Sequence, residues 1–260
     1  MEKVYLDSAA TTQMRPEVIT KITEVMQENY GNPSSTHSFG RSAKSLIERA
    51  RKTIAKQLNV TAAEIIFTSG GTEADNLALN SAVRDLGVRR IITSEIEHHA
   101  VLYCVNQLKD CFDIEVEYVK LTAEGEVDLE DLGNRLEHSD VKTLVSLMHV
   151  NNEVGNKLDI KKVALLCKQN NALFHSDTVQ SIGHYELDLK EIPVDFTAVS
   201  AHKFHGPKGV GFAFIRKNSG LKPLIFGGEQ ERGYRAGTEG LHNIVGLEEA
   251  FKLAYQNLEE

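Results

Sequence analysis

Cysteine is scarce in this sequence, and positive charge is in deficit. Among 260 residues there are three cysteines, Cys104, Cys111 and Cys167, an odd number with no C-x-x-C pair. That disfavours a disulfide framework and a zinc knuckle, and it fits a reducing compartment. Lys and Arg total 29 against 37 Asp and Glu, a formal net charge of −8. No basic stripe is present to neutralise phosphates, so neither nucleic acid nor an anionic membrane is expected as a partner. A bilayer span needs about 18 consecutive apolar residues, and no such run occurs. The opening MEKVYLDSAATT has no basic segment followed by an apolar run, so it does not read as a signal peptide, and a cytoplasmic protein is expected. Internal repeats, low-complexity tracts and Pro/Gly/Ser linkers are missing too. Residues 15–260 therefore read as one continuous domain, with residues 1–14 as an N-terminal arm.

What is present is apolar material in short, regular pieces. Hydrophobic residues make up 41% of the chain, enough for the core of a large α/β domain. Strand-like runs occur at 65–69, 90–94, 116–121, 143–150, 173–177, 195–200 and 210–215. Segments of helical period lie between most of them, at 44–58, 73–86, 100–109 and 160–170. Strands alternating with helices imply βαβ units, and so a mostly parallel, seven-stranded mixed sheet flanked by helices. Only the 203–209 turn joins the last two runs. It is too short for a crossover helix, so one antiparallel pair is expected there. Residues 29–38, NYGNPSSTHS, read as a loop.

In such a sheet, ligands bind beyond the carboxyl ends of the strands. In SAHKFHGPKG, Lys203 follows a buried apolar strand, an unusual place for a solvated point charge. In IIFTSGGTEADNLAL, a strand, a glycine turn and a helix start form a candidate phosphate cup around Gly71 and Thr72. The same residues also suit a plain strand-to-helix turn with Thr72 as N-cap. The stretch matches neither a Walker loop nor G-x-G-x-x-G. In HSDTVQS, Asp177 ends an apolar strand, where a buried carboxylate needs a cationic partner. That partner is either a nearby lysine or a protonated heteroaromatic nitrogen such as the one in pyridoxal phosphate, unless Asp177 merely caps the next segment. His98, in EIEHHAV, could lie flat on a cofactor ring or be an ordinary loop residue. His202 and His205 have i, i+3 spacing, but the strand end and proline prevent a helical ligand pair, so no metal is expected.

An aldehyde cofactor with a phosphate needs a lysine for a Schiff base and a carboxylate facing its ring nitrogen. It also needs a helix N-terminus for the phosphate and a flat side chain over the ring. Lys203, Asp177, the start of the helix at Gly71 and Thr72, and His98 supply all four at expected strand ends.

The motifs YLDSAATT, YGNPSSTHSFGR, FTSGGTEADNLAL, EIEHHAV, MHVNNEVG, HSDTVQSIG, SAHKFHGPKGVG and GGEQERGYRAGT occur in the order found in cysteine desulfurases. Along essentially its whole length the chain resembles the large domain of that class V aminotransferase-like family, with fold type I for pyridoxal phosphate. The resemblance implies that Lys203 attaches the cofactor and later moves protons, Asp177 pairs with the ring nitrogen, Gln180 touches the ring hydroxyl and His98 stacks on the ring. It implies further that Gly71, Thr72, Ser200 and His202 hold the phosphate and that Asn152 lies on the ring or substrate side. Thr238 would reach the phosphate of a partner subunit, hence a homodimer. L-cysteine would be the substrate, with alanine left behind and sulfur passed to an acceptor or scaffold protein for iron–sulfur cluster or thio-cofactor synthesis. A selenocysteine lyase or another class V enzyme, and a catalytically silent cofactor-binding scaffold, are the alternatives.

Members of that family continue beyond the point matching residue 260, with a small domain, a carboxylate-binding arginine and a loop cysteine that takes the sulfur. The closing LAYQNLEE reads as an interrupted helix, so a chain lacking the small domain and inactive alone in desulfuration is expected. Cys104, Cys111 and Cys167 fall in helical segments and read as structural thiols.

Overall fold

A computed structural model describes residues 3–137, 141–256 and 258. The strands are β1 (Ile65–Thr68), β2 (Arg90–Thr93), β3 (Glu115–Tyr118), β4 (Thr143–Ser146), β5 (Leu173–Asp177), β6 (Phe196–Ser200) and β7 (Gly211–Ile215). Among the described residues they form a seven-stranded sheet in the order β1-β7-β6-β5-β4-β2-β3. β6, β5, β4, β2 and β3 run parallel, while β7 is antiparallel to both of its neighbours. One antiparallel pair was expected from the short 203–209 turn, and there are two. The tight turn reverses the chain, and β7 then inserts between β6 and β1 rather than taking an edge. Thr68, Gly211 and Ser200 consequently lie in one row across three strands.

The helices are α1 (Pro16–Glu28), α2 (Ser38–Gln57), α3 (Gly71–Arg84), α4 (His99–Cys111), α5 (Leu129–Leu136), α6 (Ile160–Gln169) and α7 (Leu241–Gln256). Strand alternation sends successive side chains to opposite faces, so two cores form. Ile65, Phe67, Phe212 and Phe214 face one core with Val18 of α1, Ile47 of α2, Val163 of α6 and Phe251 of α7. Ile66, Ala213 and Ile215 face the other, with Leu77 of α3 and Val101 of α4. β3 is one of the two edge strands, and its charged Glu115 and half-buried Glu117 suit a position with one unpaired side. Among the described residues no helix is long and apolar enough to cross a membrane.

Two glycines fix how closely the layers approach at the site. Gly70 adopts φ 150° and ψ −174°, a region open essentially to glycine alone. A Cβ on Gly211 would run into the Val199 carbonyl and come within 2.9 Å of the Gly70 Cα. β7 can therefore pass against the phosphate-cup turn and β6 only because Gly211 lacks a side chain, while Gly70 is needed for the backbone path of the turn itself.

Candidate active site

β1, β2, β4, β5 and β6 all point their carboxyl ends to one rim, and the loops leaving them meet there. Gly71, Thr72, His98, Asn152, Asp177, Gln180, Ser200, His202 and Lys203 line one cavity of about 210 Å³, together with Ala10, Asp75, Met148 and Val179. Thr238 lies elsewhere, in a smaller cavity of about 130 Å³ beside Ser69, Arg235 and Glu239. The structure thus brings nine of the ten sequence-selected residues together and sets the tenth apart.

At the phosphate-cup end, α3 begins at Gly71 and its N-cap is Gly70, so Thr72 sits inside the first turn rather than capping it. The first N–H groups of a helix have no intrahelical partner and carry its positive dipole end. A Cβ on Gly71 would lie 2.5 Å from Val179 Cγ2, so only glycine lets the helix start this close to the segment after β5. Ser200, at the end of β6, and His202 close the cup from the side.

Lys203 follows β6 in a short turn, Ala201–Lys203, and is half-buried. Its Nζ donates to the Ala10 carbonyl at 3.0 Å and to the Ala9 carbonyl. Burial holds the amine below its ordinary range, while Asp177 and Asp7 pull it back up. The N-terminal arm is laced to the same turn. The Thr12 N–H and hydroxyl both donate to the His202 carbonyl at 2.9 and 2.8 Å, Gln180 Nε2 donates to Ala9 O at 2.9 Å, and Thr11 Oγ1 lies 3.1 Å from His202 Nδ1. Nothing in the sequence signals that Ala9 and Ala10 touch the lysine, because backbone carbonyls leave no composition signal.

Asp177 is 5% exposed and lacks a Lys or Arg ion-pair partner among the described residues. Burial pushes its carboxyl up to about 7, and Asp75 adds to the effect. The Val179 N–H, donating to its Oδ1 at 2.9 Å, works the other way, as do His175 and His98. The local bond to Val179 matches the capping alternative, yet the carboxyl also faces the cavity. His98 is the N-cap of α4, its Nδ1 accepting from the Ala100 N–H at 3.1 Å, which fixes the ring beside the cavity. His99 instead stacks on Tyr103, 4.8 Å away and 3° from parallel. The Asn152 side chain donates to Glu153 Oε1 at 2.7 Å.

Asp75 was missed by sequence reasoning. The available signal was an acid on the otherwise apolar buried face of α3, beside Ala74, Leu77 and Ala78. Glu97, the motif glutamate just before His98, carries no role of its own in the sequence reading. Its Oε1 accepts from Ser94 Oγ at 2.8 Å and from the Met148 N–H at 3.1 Å, and burial raises it to about 8.

These buried groups give the chain a defined pH response. Glu97, raised to about 8, and Asp177, raised to about 7, keep protons that the unfolded chain has already lost, so they make stability fall as pH rises toward those values. His149 and His175, held near 4 by burial, do the opposite, but only below the ordinary histidine range of 6.5. Above about pH 6.5 the acids act alone, and one such group changes stability by about 2 kcal/mol over 1.5 pH units. The melting temperature of the cofactor-free chain should therefore fall between about pH 6.5 and 8. Glu97→Gln should flatten the slope. A rising or level melting curve in that window would contradict the burial of these acids in their neutral form.

The chain matches the Aminotransferase class-V family over residues 4–260. Its relatives include a protein named cysteine desulfurase IscS from Clostridium botulinum strain Kyoto, 45% identical over 263 residues, covering 100% of this chain and 65% of the relative. The IscS of Dictyoglomus turgidum is 43% identical, covering 99% of this chain and 65% of that protein. Two solved structures superpose closely. One is titled NifS-like protein, with a TM-score of 0.94, 40% identity and coverage of 99% of this chain and 71% of that one. The other, titled SspA in complex with cysteine, gives 0.90, 33%, 96% and 72%. The chain therefore spans 65% of the length of the two IscS relatives, and it belongs to the class-V aminotransferase family.

Proposed function

We propose that this chain works in a cysteine desulfurase, a cytoplasmic homodimer that takes sulfur from L-cysteine and leaves alanine. The carrying observation is that Lys203, Asp177 and the start of α3 converge on one cavity. The cysteine bound in the SspA structure supports the choice of substrate. Pyridoxal phosphate is the cofactor of class-V aminotransferases and desulfurases. When bound, it supplies an aldehyde that takes up amines and a protonated ring that draws electrons from the carbon beside the amine.

The cavity's residues fit that group. An anion suits the free N–H groups of α3 with Thr72, Ser200 and His202 around it. Asp177, with no Lys or Arg ion pair among the described residues, would stay ionised against a protonated ring nitrogen and hold the proton there. Gln180 would serve the ring hydroxyl, His98 the ring face and Asn152 the substrate side. In the homodimer, Thr238 would reach the partner's phosphate. Lys203 would hold the cofactor covalently. As a free amine, its Nζ would take the proton from the carbon beside the substrate amine, held there by the Ala9 and Ala10 carbonyls.

Desulfuration also needs a thiolate within about 3 to 3.5 Å of the substrate sulfur. None of the three cysteines lines the cavity. Cys104 and Cys167 are buried, and burial raises both thiols, Cys104 to about 12 with Asp75 adding to the effect. Cys111 is exposed at the end of α4, with Gln107 Nε2 donating to its sulfur. The acceptor thiol therefore comes from outside these three. The 260-residue chain, loaded with cofactor and given L-cysteine and dithiothreitol, should release sulfide no faster than free pyridoxal phosphate. Robust Lys203-dependent release would overturn the assignment of these thiols as structural.

Substrate displacement tests the function itself. Borohydride reduction of the loaded chain should fix one pyridoxyl group on Lys203, and prior addition of L-cysteine should reduce that label, where an amino acid of unrelated side chain reduces it less. If L-cysteine leaves the label intact, the chain is a cofactor-binding scaffold instead. The missing cavity thiol is the one observation that favours that second reading.

A further inference from the structure

Behind Asp177 lies a buried polar chain that none of these roles uses. Asp75, on α3, is 1% exposed, and its Oδ1 is 3.2 Å from His175 Nε2. His175, on β5, is fully buried, and its Nδ1 is 2.9 Å from Ser146 Oγ at the end of β4. His175 Nδ1 is therefore bonded, while Nε2 and Asp75 Oδ1 face each other at that distance with neither making another hydrogen bond among the described residues, and the line Asp75–His175–Ser146 runs from the cavity wall inward across three elements. The groups that face Asp75 are His175 and Asp177 from β5, Glu97 from the loop before α4, and Cys104 from α4. None of them is a fixed cation, and Asp75 has no Lys or Arg ion pair among the described residues.

Two carboxyls in one dry wall, neither in an ion pair with Lys or Arg among the described residues, do not readily both ionise, so one of them keeps a proton. The surroundings decide which. Asp177 receives the Val179 N–H and lies near enough to Lys203 for the two to stabilise each other's charge, both of which favour its anion. Asp75 faces an imidazole nitrogen, which can accept from a carboxylic O–H while Nδ1–H donates to Ser146. We infer that Asp75, His175 and Ser146 are positioning residues that hold one proton on the Asp75–His175 line, leaving Asp177 free to ionise against a cationic ring nitrogen. Burial acts in the same direction, keeping Asp75 well above the carboxylate range and His175 near 4. The inference rests on the proposed role of Asp177 toward the ring.

If His175 is removed, the Asp75 proton has Asp177 as its remaining acceptor. The two acids then become a pair sharing a proton, as paired carboxyls do. His175→Phe should therefore weaken binding of pyridoxal phosphate by about tenfold, one unit of Asp177 pKa, and shift the pH dependence of binding upward. Adding Asp75→Asn should restore affinity and pH profile, because an amide cannot share that proton. A purely space-filling role for His175 would not be rescued by a change at Asp75.

The test begins on the cofactor-free chain. Nitrogen NMR of labelled histidine should show His175 neutral, protonated on Nδ1, and not titrating between about pH 5 and 8. Infrared spectroscopy should show a protonated carboxyl band at neutral pH that Asp75→Asn removes. An imidazolium at neutral pH, or an Nε2–H tautomer with no band lost in Asp75→Asn, would overturn the inference. So would failure of the double variant to regain affinity when both variants keep native circular dichroism. Should the chain bind no pyridoxal phosphate at all, the role of Asp177 fails, while the two spectra still decide where the buried proton sits.

Discussion

Lys203→Ala should abolish the borohydride-fixed label, from one pyridoxyl group per chain to none. Among the described residues that line the cavity, Lys203 is the sole amine. Lys208, the next lysine along, is exposed and does not line it. Its loss removes both the covalent anchor and the group proposed to carry the substrate proton. Turnover in any assembly that contains this chain should fall by about 10²- to 10⁴-fold, the usual contribution of a positioned acid–base group. Non-covalent binding should survive in weakened form, since the helix start at Gly71, Asp177 and Gln180 remain. Peptide mapping by mass spectrometry reads the label directly. Its appearance on several lysines of the wild-type chain, or its persistence in Lys203→Ala, would remove Lys203 from the chemistry.

The second large effect concerns stability. Arg51, on α2, and Glu231, in the turn Gln230–Gly233, are 2% and 4% exposed and pair through two bonds of 2.6 and 2.7 Å. Arg51 Nη1 also donates to the Ile65 carbonyl at 2.6 Å, and the Phe67 N–H donates to Glu231 Oε2 at 2.7 Å. The guanidinium carbon lies 4.7 Å from the Phe67 ring centre. Arg51→Ala leaves the Glu231 carboxylate buried without its cation, which should cost about 3 to 5 kcal/mol. Replacing both members with apolar residues of similar volume should cost much less. Urea denaturation with an unchanged slope would measure the difference. The pair also anchors a backbone that does not hold itself, since Glu231 and Arg232 have φ of 47° and 58°. Arg235, a few residues on, bonds Glu73 at 2.9 Å, beside Thr72. Arg51→Ala should thus loosen the segment carrying Arg235 and Thr238. A loss under about 1 kcal/mol would show that Glu231 finds water or another partner.

Periodicity located all seven strands, because each is a short apolar run bounded by turn residues. It overextended β3 and β4. Leu121 and Val150 continue the apolar pattern, but they pair only in isolated bridges, with Val127 and Lys157. α1 was not anticipated, because only Val18 and Val25 of its thirteen residues are buried and the apolar stripe is thin. The candidate site was legible where chemistry falls at a strand end, as with Asp177, Ser200 and Lys203. Asp75 was not, since its position on the buried face of α3 matters only once that face is known to lie against β5. The contacts of Ala9 and Ala10 with Lys203 were hidden for another reason: they join residues more than 190 positions apart through backbone atoms.

The row formed by Thr68, Gly211 and Ser200 works as a ruler. The phosphate cup leaves from β1 and the lysine turn leaves from β6, so the spacing between them is two strand separations, about 9.6 Å at 4.8 Å per pair. Hydrogen-bonded ladders set that length, and side chains or loops do not. Residues added within the 203–209 turn would leave it unchanged, whereas a Cβ at Gly211 would force β7 outward and move both anchors together. The gauge between the anion end and the amine end of the cavity is therefore written in main-chain geometry, and the loops around the rim can vary without resetting it.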